Sequence, residues 1–259
     1  MDPIKPVGPV ASAFGLLELL VGSAGALSLA EIARRSGHPR SSAHRILASL
    51  IQLGYVQQEQ PGQYRTTFKL VEMGMEVLSS IDIVKVARRH LEALVQATNE
   101  NAYLAVLDRD GNSIYLARVE TSRAVCVHSQ LGMPNPSWST ATGRAMLAFL
   151  PEVQKKVFAR RLKAVVPSTV TDRRTLRAEL HEVERRGVAV VRAQISSDTG
   201  GIAAPIRDFS GTVVASCGIA IPLHRMSERL VTKSIPAVVR AARAISVGLG
   251  IPATCERQR

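Results

Sequence analysis

Two short helical patterns separated only by Ser36-Gly37-His38-Pro39, then followed at once by a strand–turn–strand pattern, leave few folds open to residues 28–66. Ser28-Leu29-Ala30-Glu31 is a capping box. The Ser28 hydroxyl can accept from the Glu31 amide, and the Glu31 carboxylate can reach back to the Ser28 amide. The helix it opens turns Leu29, Ile32 and Ala33 inward and stops at Ser36-Gly37. Pro39 suits the start of the next helix, because its missing N–H would have no partner there. In that helix Ala43, Ile46, Leu47 and Leu50 recur at i, i+3, i+4 and i+7, which defines an inward face. Ser41, Arg45, Ala48 and Gln52 then point the opposite way, flanked by Ser42 and His44. Leu53-Gly54-Tyr55-Val56 converts helix to strand, Gln60-Pro61-Gly62-Gln63 is a turn, and Tyr64-Arg65-Thr66 returns as a second strand. Upstream, Val10, Phe14, Leu17, Leu20 and Val21 share one face of a further helix. Three helices and a hairpin predict a winged helix-turn-helix.

Beyond it the pattern changes twice. Phe68–Leu78 and Ile83–Thr98 are helical, with a boundary near Ser79–Asp82. From Ala102 a two-residue period takes over. Tyr103–Asp108 and Ser113–Val119 flank an Asp110-Gly111 hairpin tip, and Ala124–His128 is expected as a third short strand. Ser139–Leu150 and Asp172–Arg186 are helical. Val188–Ala193, Gly201–Ile206 and Thr212–Ile221 are strands. Met226–Leu249 is a closing helix, expected to break or bend near Pro236. The predicted class is α+β with a largely antiparallel sheet. The division expected is residues 1–67, 68–81 as a linker helix, and 82–259.

The chain of 259 residues is long enough for two domains. No apolar run approaches the ~20 residues that span a bilayer, and Met1–Val10, with three prolines, lacks the apolar core of a secretory signal. Three scattered cysteines, Cys126, Cys217 and Cys255, suit a reducing compartment rather than a disulfide framework. A cytoplasmic location is the expectation. His-x3-His, Cys-x2-Cys and His-Glu-x2-His spacings are missing, as are a phosphate-cradling Gly-x4-Gly-Lys loop and Gly-x-Ser-x-Gly. Neither a metal, a cofactor nor enzymatic chemistry is expected. The formal charge is +12, yet residues 1–80 hold only seven of the 33 Lys/Arg and six of the 21 Asp/Glu.

Major-groove readout needs short polar groups and forked donors near a helix N-terminus. Arg40, Ser41, Ser42, His44 and Arg45 meet that need, with Arg45 the first choice for a base or phosphate. The competing reading of Arg45 is an ion pair to Glu18 or Glu31; that of the serines is helix capping. Arg65 on the hairpin is expected on phosphate, and Lys69 more weakly so. A domain this small reads few base pairs, so a dimer on a roughly palindromic duplex site is expected.

Three stretches, "SLAEIARRSGHPRSSAHRILASLIQLGYV", "STATGRAMLAF" and "GIAAPIRDFSGTVVAS", resemble the isocitrate-lyase-regulator (IclR) family of bacterial transcription regulators. The resemblance runs from about Val10 to Gly248. It implies a winged helix, a linker helix and a C-terminal effector-binding domain with a GAF/PAS-like sheet, assembled as dimers or tetramers. It also implies Gly132, Met133, Gly201, Gly218 and Ala220 as effector contacts. The chain departs from the family at Arg144, where Lys is common, at Pro136-Ser137-Trp138, where Pro-Leu-His is common, and at Ser196–Gly201. From the residues themselves, Leu131–Pro136 has the composition of a lid. Thr140 opens a helix against the cavity, and Trp138 can stack on a ring or belong to the core. The basic excess suits a small organic acid, with Arg192, Arg123, His128 or Arg144 as counter-charges. Two other readings remain: a redox sensor through Cys126 or Cys217, and a DNA-binding protein that needs no effector.

Overall fold

The computed structural model describes residues 8–80 and 82–251. The start of the Met1–Val10 segment and Cys255 lie outside the described residues. The chain forms two compact units that divide between Ser80 and Ile81.

In the first unit, helix α1 (Gly8–Val21) precedes strand β1 (Leu27–Ser28), α2 (Leu29–Ser36) and α3 (Arg40–Gln52). Strands β2 (Val56–Gln60) and β3 (Gln63–Thr66) and helix α4 (Lys69–Ser80) complete it. The capping box forms as its spacing requires: Ser28 Oγ accepts from the Glu31 amide, and the Glu31 carboxylate accepts from the Ser28 amide. Those bonds hold the Glu31 carboxyl below the usual range. Gly37 ends α2 at φ +71°, a left-handed turn that glycine adopts without a Cβ clash. The core joins Leu16, Leu17 and Leu20 to Ile32, Ala43, Leu47, Leu50, Val56 and Tyr64.

The face of α1 is a correction. Leu17 and Leu20 are buried as expected, but with Leu16, while Val10 and Phe14 are 53% and 61% exposed and Val21 lies outside as well. Periodicity tells which residues share a face, not which face meets the core. Here the inward stripe is rotated by most of a quarter turn.

The second unit is one six-stranded sheet. Its strands are β4 (Asn101–Leu107), β5 (Ser113–Val119), β6 (Pro134–Asn135), β7 (Ala189–Arg192), β8 (Thr199–Arg207) and β9 (Val213–Pro222). The order is β6-β5-β4-β9-β8-β7, and each neighbouring pair is antiparallel. Side chains alternate between faces. Ala102 and Leu104 of β4, with Cys217 and Ile219 of β9, meet helices α5 (Asp82–Thr98) and α9 (Glu228–Gly248). On the opposite face lie α6 (Ala141–Leu147), α7 (Pro151–Phe158) and α8 (Arg173–Arg186). The α+β, antiparallel expectation holds.

Two expected elements differ. Ala124–His128 is irregular rather than a strand. The Val127 carbonyl is taken by side chains instead of a neighbouring strand, accepting from Asn101 Nδ2 at 2.8 Å and Tyr103 Oη at 2.6 Å. The edge strand is Pro134–Asn135. Helix α9 also runs through Pro236 unbroken; burial of Ser234, Ala237 and Val238 around it against the sheet outweighs the lost backbone bond.

Candidate nucleic-acid interface and ligand pocket

Helix α3 presents Arg40, Ser41, His44 and Arg45 to solvent, with Ser42 half-buried between them. No side chain caps its first turn, so neither serine is spent on capping. Among the described residues no carboxylate lies within 4 Å of Arg40 or Arg45. Glu31, a competitor for Arg45, is occupied by Ser28. The face therefore carries two unpaired guanidinium groups, two hydroxyls and an imidazole beside free first-turn amides, the donor set that base edges and phosphates accept.

The wing differs from expectation in its cations. Arg65 lies 2.7 Å from Glu59, so contact with a phosphate exchanges one partner for another. Lys69, expected weakly on phosphate, is exposed but already engaged within the unit. Its Nζ donates to the Leu53 carbonyl at 2.7 Å and lies 4.5 Å from the centre of the Tyr55 ring. It caps the C-terminus of α3, where the helix dipole favours a cation.

In the second unit a cavity of about 40 Å³ lies between the sheet and the start of α6. It adjoins a wider cleft of about 640 Å³, and Tyr115, Val127, Ser129, Ile195 and Thr199 line both. Of the expected contacts, Thr140, Gly201, Gly218 and Ala220 line the inner cavity, and Met133 lines the outer cleft. Thr140 also caps α6, its Oγ1 accepting from the Gly143 amide at 3.0 Å. Gly218 is small for a reason other than room for a ligand. A Cβ there would collide with the Ile202 carbonyl and come within 2.7 Å of Ala203 Cβ, so β8 and β9 could not pair as they do.

The structure does not bring Gly132, Trp138 or Arg192 to these walls. Gly132 is a turn residue at φ +74°. Trp138 belongs to the α6–α8 core, and its indole N–H donates to the Lys163 carbonyl at 3.3 Å. Arg192 pairs with Glu228 at 2.6 Å. Of the other expected counter-charges, Arg123 donates to the Asn99 carbonyl. Arg144 is buried and donates to the Trp138 carbonyl, Glu179 and Gln194; burial pulls its pKa down, against the pull of Glu179. Only His128 reaches the cleft. Among the described residues no lysine or arginine lines either cavity.

Sequence reasoning missed the aromatic wall. Tyr103 and Tyr115, with ring centres 4.9 Å apart, line the inner cavity. Tyr103 Oη receives the Ser129 amide at 3.1 Å. Burial pushes the Tyr115 phenol up, opposed by hydrogen bonds to Thr142 and Ser129. The alternation of Asn101–Leu107, which places Tyr103 opposite Leu104, was the available signal. The thiols separate clearly. Cys217 is fully buried and burial pushes it up to about 12, leaving it protonated and inert. Cys126 lines the outer cleft with its Sγ 3.1 Å from His128 Nε2. Among the described residues no three His, Cys, Asp or Glu side chains could share a metal ion, and no helix is long and apolar enough to cross a membrane.

A DNA-reading helix-turn-helix joined in one chain to a sheet domain with a ligand cavity defines a one-component transcription regulator. Residues 9–60 match the IclR helix-turn-helix domain, and residues 75–247 match the domain described as bacterial transcriptional regulator IclR C-terminal. This chain belongs to the IclR family of transcriptional regulators. It is 29% identical to the HTH-type transcriptional regulator KdgR of Escherichia coli (strain K12) over 94% of this chain and 93% of the relative. The structure of Thermotoga maritima IclR is similar at a TM-score of 0.75 and 29% identity, covering 93% of this chain and 98% of the other. An IclR homologue from Microbacterium hydrocarbonoxydans, complexed with 4-hydroxybenzoate, is similar at 0.80 and 28%, covering 93% and 99%. The chain is thus a DNA-binding regulator with an effector-binding C-terminal domain.

Proposed function

We propose that the effector is a small organic acid bearing a planar ring, held across the inner cavity and the outer cleft. The observation that carries this reading is the composition of the walls: two tyrosines and Val127, Val191 and Ile195 beside the hydroxyls of Ser129, Ser139, Thr140 and Thr142. Apolar walls with a few convergent polar groups are what small-molecule sites need. The inner cavity has space for water but not for a ring; the outer cleft falls in the ~300–1,000 Å³ range of ligand pockets. Since no described lysine or arginine stands at the walls, hydroxyls and His128 receive the carboxylate. The 4-hydroxybenzoate bound by the Microbacterium homologue supports the chemical class.

On this reading the regions run as 1–67 for DNA, 68–81 for linkage and 82–259 for the effector. Arg40, Ser41, Ser42, His44, Arg45 and Arg65 contact duplex DNA. Met133, Thr140, Gly201, Gly218 and Ala220 contact the effector, to which we add Tyr103, Tyr115 and Ser129. The protein acts in the cytoplasm as a homodimer or tetramer on a roughly palindromic operator, performs no catalysis, and closes Leu131–Pro136 over its effector. A coupling of about 1–3 kcal/mol between cleft and operator suffices for control.

A thermal-melt screen against aromatic and aliphatic carboxylates tests the effector class, since a ligand stabilises the state it binds. A saturable rise with a ring-bearing acid, diminished in Tyr115→Phe, is expected. Stabilisation by neutral compounds alone would overturn the acid assignment. The pairing of Cys126 with His128 favours one second reading, in which a modified Cys126 thiol replaces or supplements the acid.

A further inference from the structure

Sequence-independent affinity for duplex DNA comes from cations that neutralise backbone phosphates. In this chain α3 supplies Arg40 and Arg45, but most of the net positive charge lies outside the unit that carries it. Residues 1–80 carry a formal charge of +1, and the remaining residues carry +11.

Much of that excess is local. Between Lys155 and Arg177 stand eight Lys/Arg and a single acid, Asp172. The fold occupies some of them. Lys155 faces Glu152 at 3.8 Å and Arg160 faces Asp110 at 3.0 Å. Lys156 donates to the Arg109 carbonyl. Arg161, Lys163 and Arg174 are exposed, and among the described residues none has a carboxylate within 4 Å.

Arg161 and Lys163 border a concave surface. A groove of about 600 Å³ is lined by Arg161, Lys163 and Arg173 with Leu162, Ala164 and Thr171. Its shape is held from below. Leu162 is buried in the core, the Lys163 carbonyl receives the Trp138 indole, and Arg173 donates to the Arg160 carbonyl at 3.0 Å. At its rim α8 begins with Arg173-Arg174 and no acid in its first turn. Cations there face the positive end of the helix dipole, an unfavourable placement that a bound anion reverses. The one nearby carboxylate, Asp172, is engaged in capping Thr175.

We propose that this groove binds the phosphate backbone of duplex DNA, giving the effector-binding unit a sequence-independent DNA contact of its own. An open groove with cations along its length fits a string of phosphates better than one small anion. The inference rests on the chain's role as a DNA-binding regulator.

The triple variant Arg161→Gln/Lys163→Gln/Arg174→Gln tests it, because it removes no ion pair and no buried group. The full-length protein is titrated against a long mixed-sequence duplex over a range of KCl, read by fluorescence anisotropy. Each neutralised phosphate contributes about 0.9 to the slope of log affinity against log salt. The variant is expected to lose roughly 2–3 from that slope and to bind on the order of tenfold more weakly at low salt, with its melting temperature unchanged. Arg45→Gln, on the reading face, is expected to lose at most about one. Equal slope and affinity in wild type and triple variant would overturn the inference alone. No duplex binding by the wild type would overturn it together with the DNA-binding reading. Wild-type binding to polyglutamate as tight as to the duplex, lost in the variant, would reassign the groove to an acidic polypeptide and overturn it too.

Discussion

Arg144 and Gln194, fifty residues apart in sequence, are joined by a 3.1 Å hydrogen bond from the guanidinium to Oε1. Gln194 also lines the inner cavity, and its side-chain amide is fully used. Oε1 accepts from the Val170 amide as well, and Nε2 donates to the Ser168 and Arg192 carbonyls. Arg144 thus fixes a wall of the cavity without facing the ligand.

Arg144→Ala takes the guanidinium from the Trp138 carbonyl, leaves Gln194 Oε1 with the Val170 amide alone, and leaves Glu179 without its cation. Breaking a buried ion pair costs about 3–5 kcal/mol. Glu179 is 40% exposed, so roughly 2–4 kcal/mol is expected, read from urea unfolding. Arg144→Lys keeps the charge but not the planar fork that serves three acceptors, and should fall between. A loss within about 0.5 kcal/mol for Arg144→Ala, the scale of ordinary surface changes, would contradict the assigned role.

Arg45→Ala is expected to weaken operator binding by about 1–3 kcal/mol and to relax base preference at one position of each half-site. Arg65→Ala should act on all sequences alike and lower the salt slope by about one. Affinity selections from a randomised duplex pool, run on both variants, separate the two effects. An unchanged selected site for Arg45→Ala would remove it from the base-reading set.

Iodoacetamide applied to the native protein should label Cys126 and spare Cys217, as read by peptide-resolved mass spectrometry. The Cys217 thiol, pushed up to about 12, supplies almost no thiolate at neutral pH. If alkylation of Cys126 leaves effector response and DNA binding untouched, the thiol-based reading fails.

Ser28→Ala removes the N-cap of α2 and should cost the first unit about 1 kcal/mol. The pH dependence follows from Glu31, whose folded pKa lies below its ordinary value of 4.5. Its contribution is complete above that value and is lost as pH falls through the folded one. In Ser28→Ala the Glu31 titration, followed by carboxyl NMR, should move back up toward 4.5. A midpoint that stays put would mean that Ser28 is not the cause of the shift.

Local rules carried much of the fold. The capping box, the inward stripe of α3 and the Gly62 turn each depend on a few adjacent residues, and each formed as expected. Long-range partners were not legible. Nothing near Lys69 in sequence announces the Leu53 carbonyl, and nothing near Arg192 announces Glu228. Trp138 carried both possibilities, and the core took it because its N–H found the Lys163 carbonyl. The α1 face was misjudged because five apolar side chains at helical spacing are equally consistent with a core and with a surface. Met133, Thr140, Gly201, Gly218 and Ala220 fell at the cavities because the small residues and the helix start are sequence-local features of that wall. The tyrosines completing it come from two strands that only the sheet brings together.

The bond from Lys69 to Leu53 has a mechanical consequence. Lys69 is the first residue of α4 and Leu53 follows the last residue of α3, while Thr67 Oγ1 ties the intervening segment to the Gly54 carbonyl at 2.5 Å. The helix that leaves the DNA-reading unit is therefore pinned to the end of the helix that reads. A turn of α4 that kept both bonds would carry the C-terminal carbonyls of α3 with it, as a tiller bolted to its rudder transmits each turn of the hand.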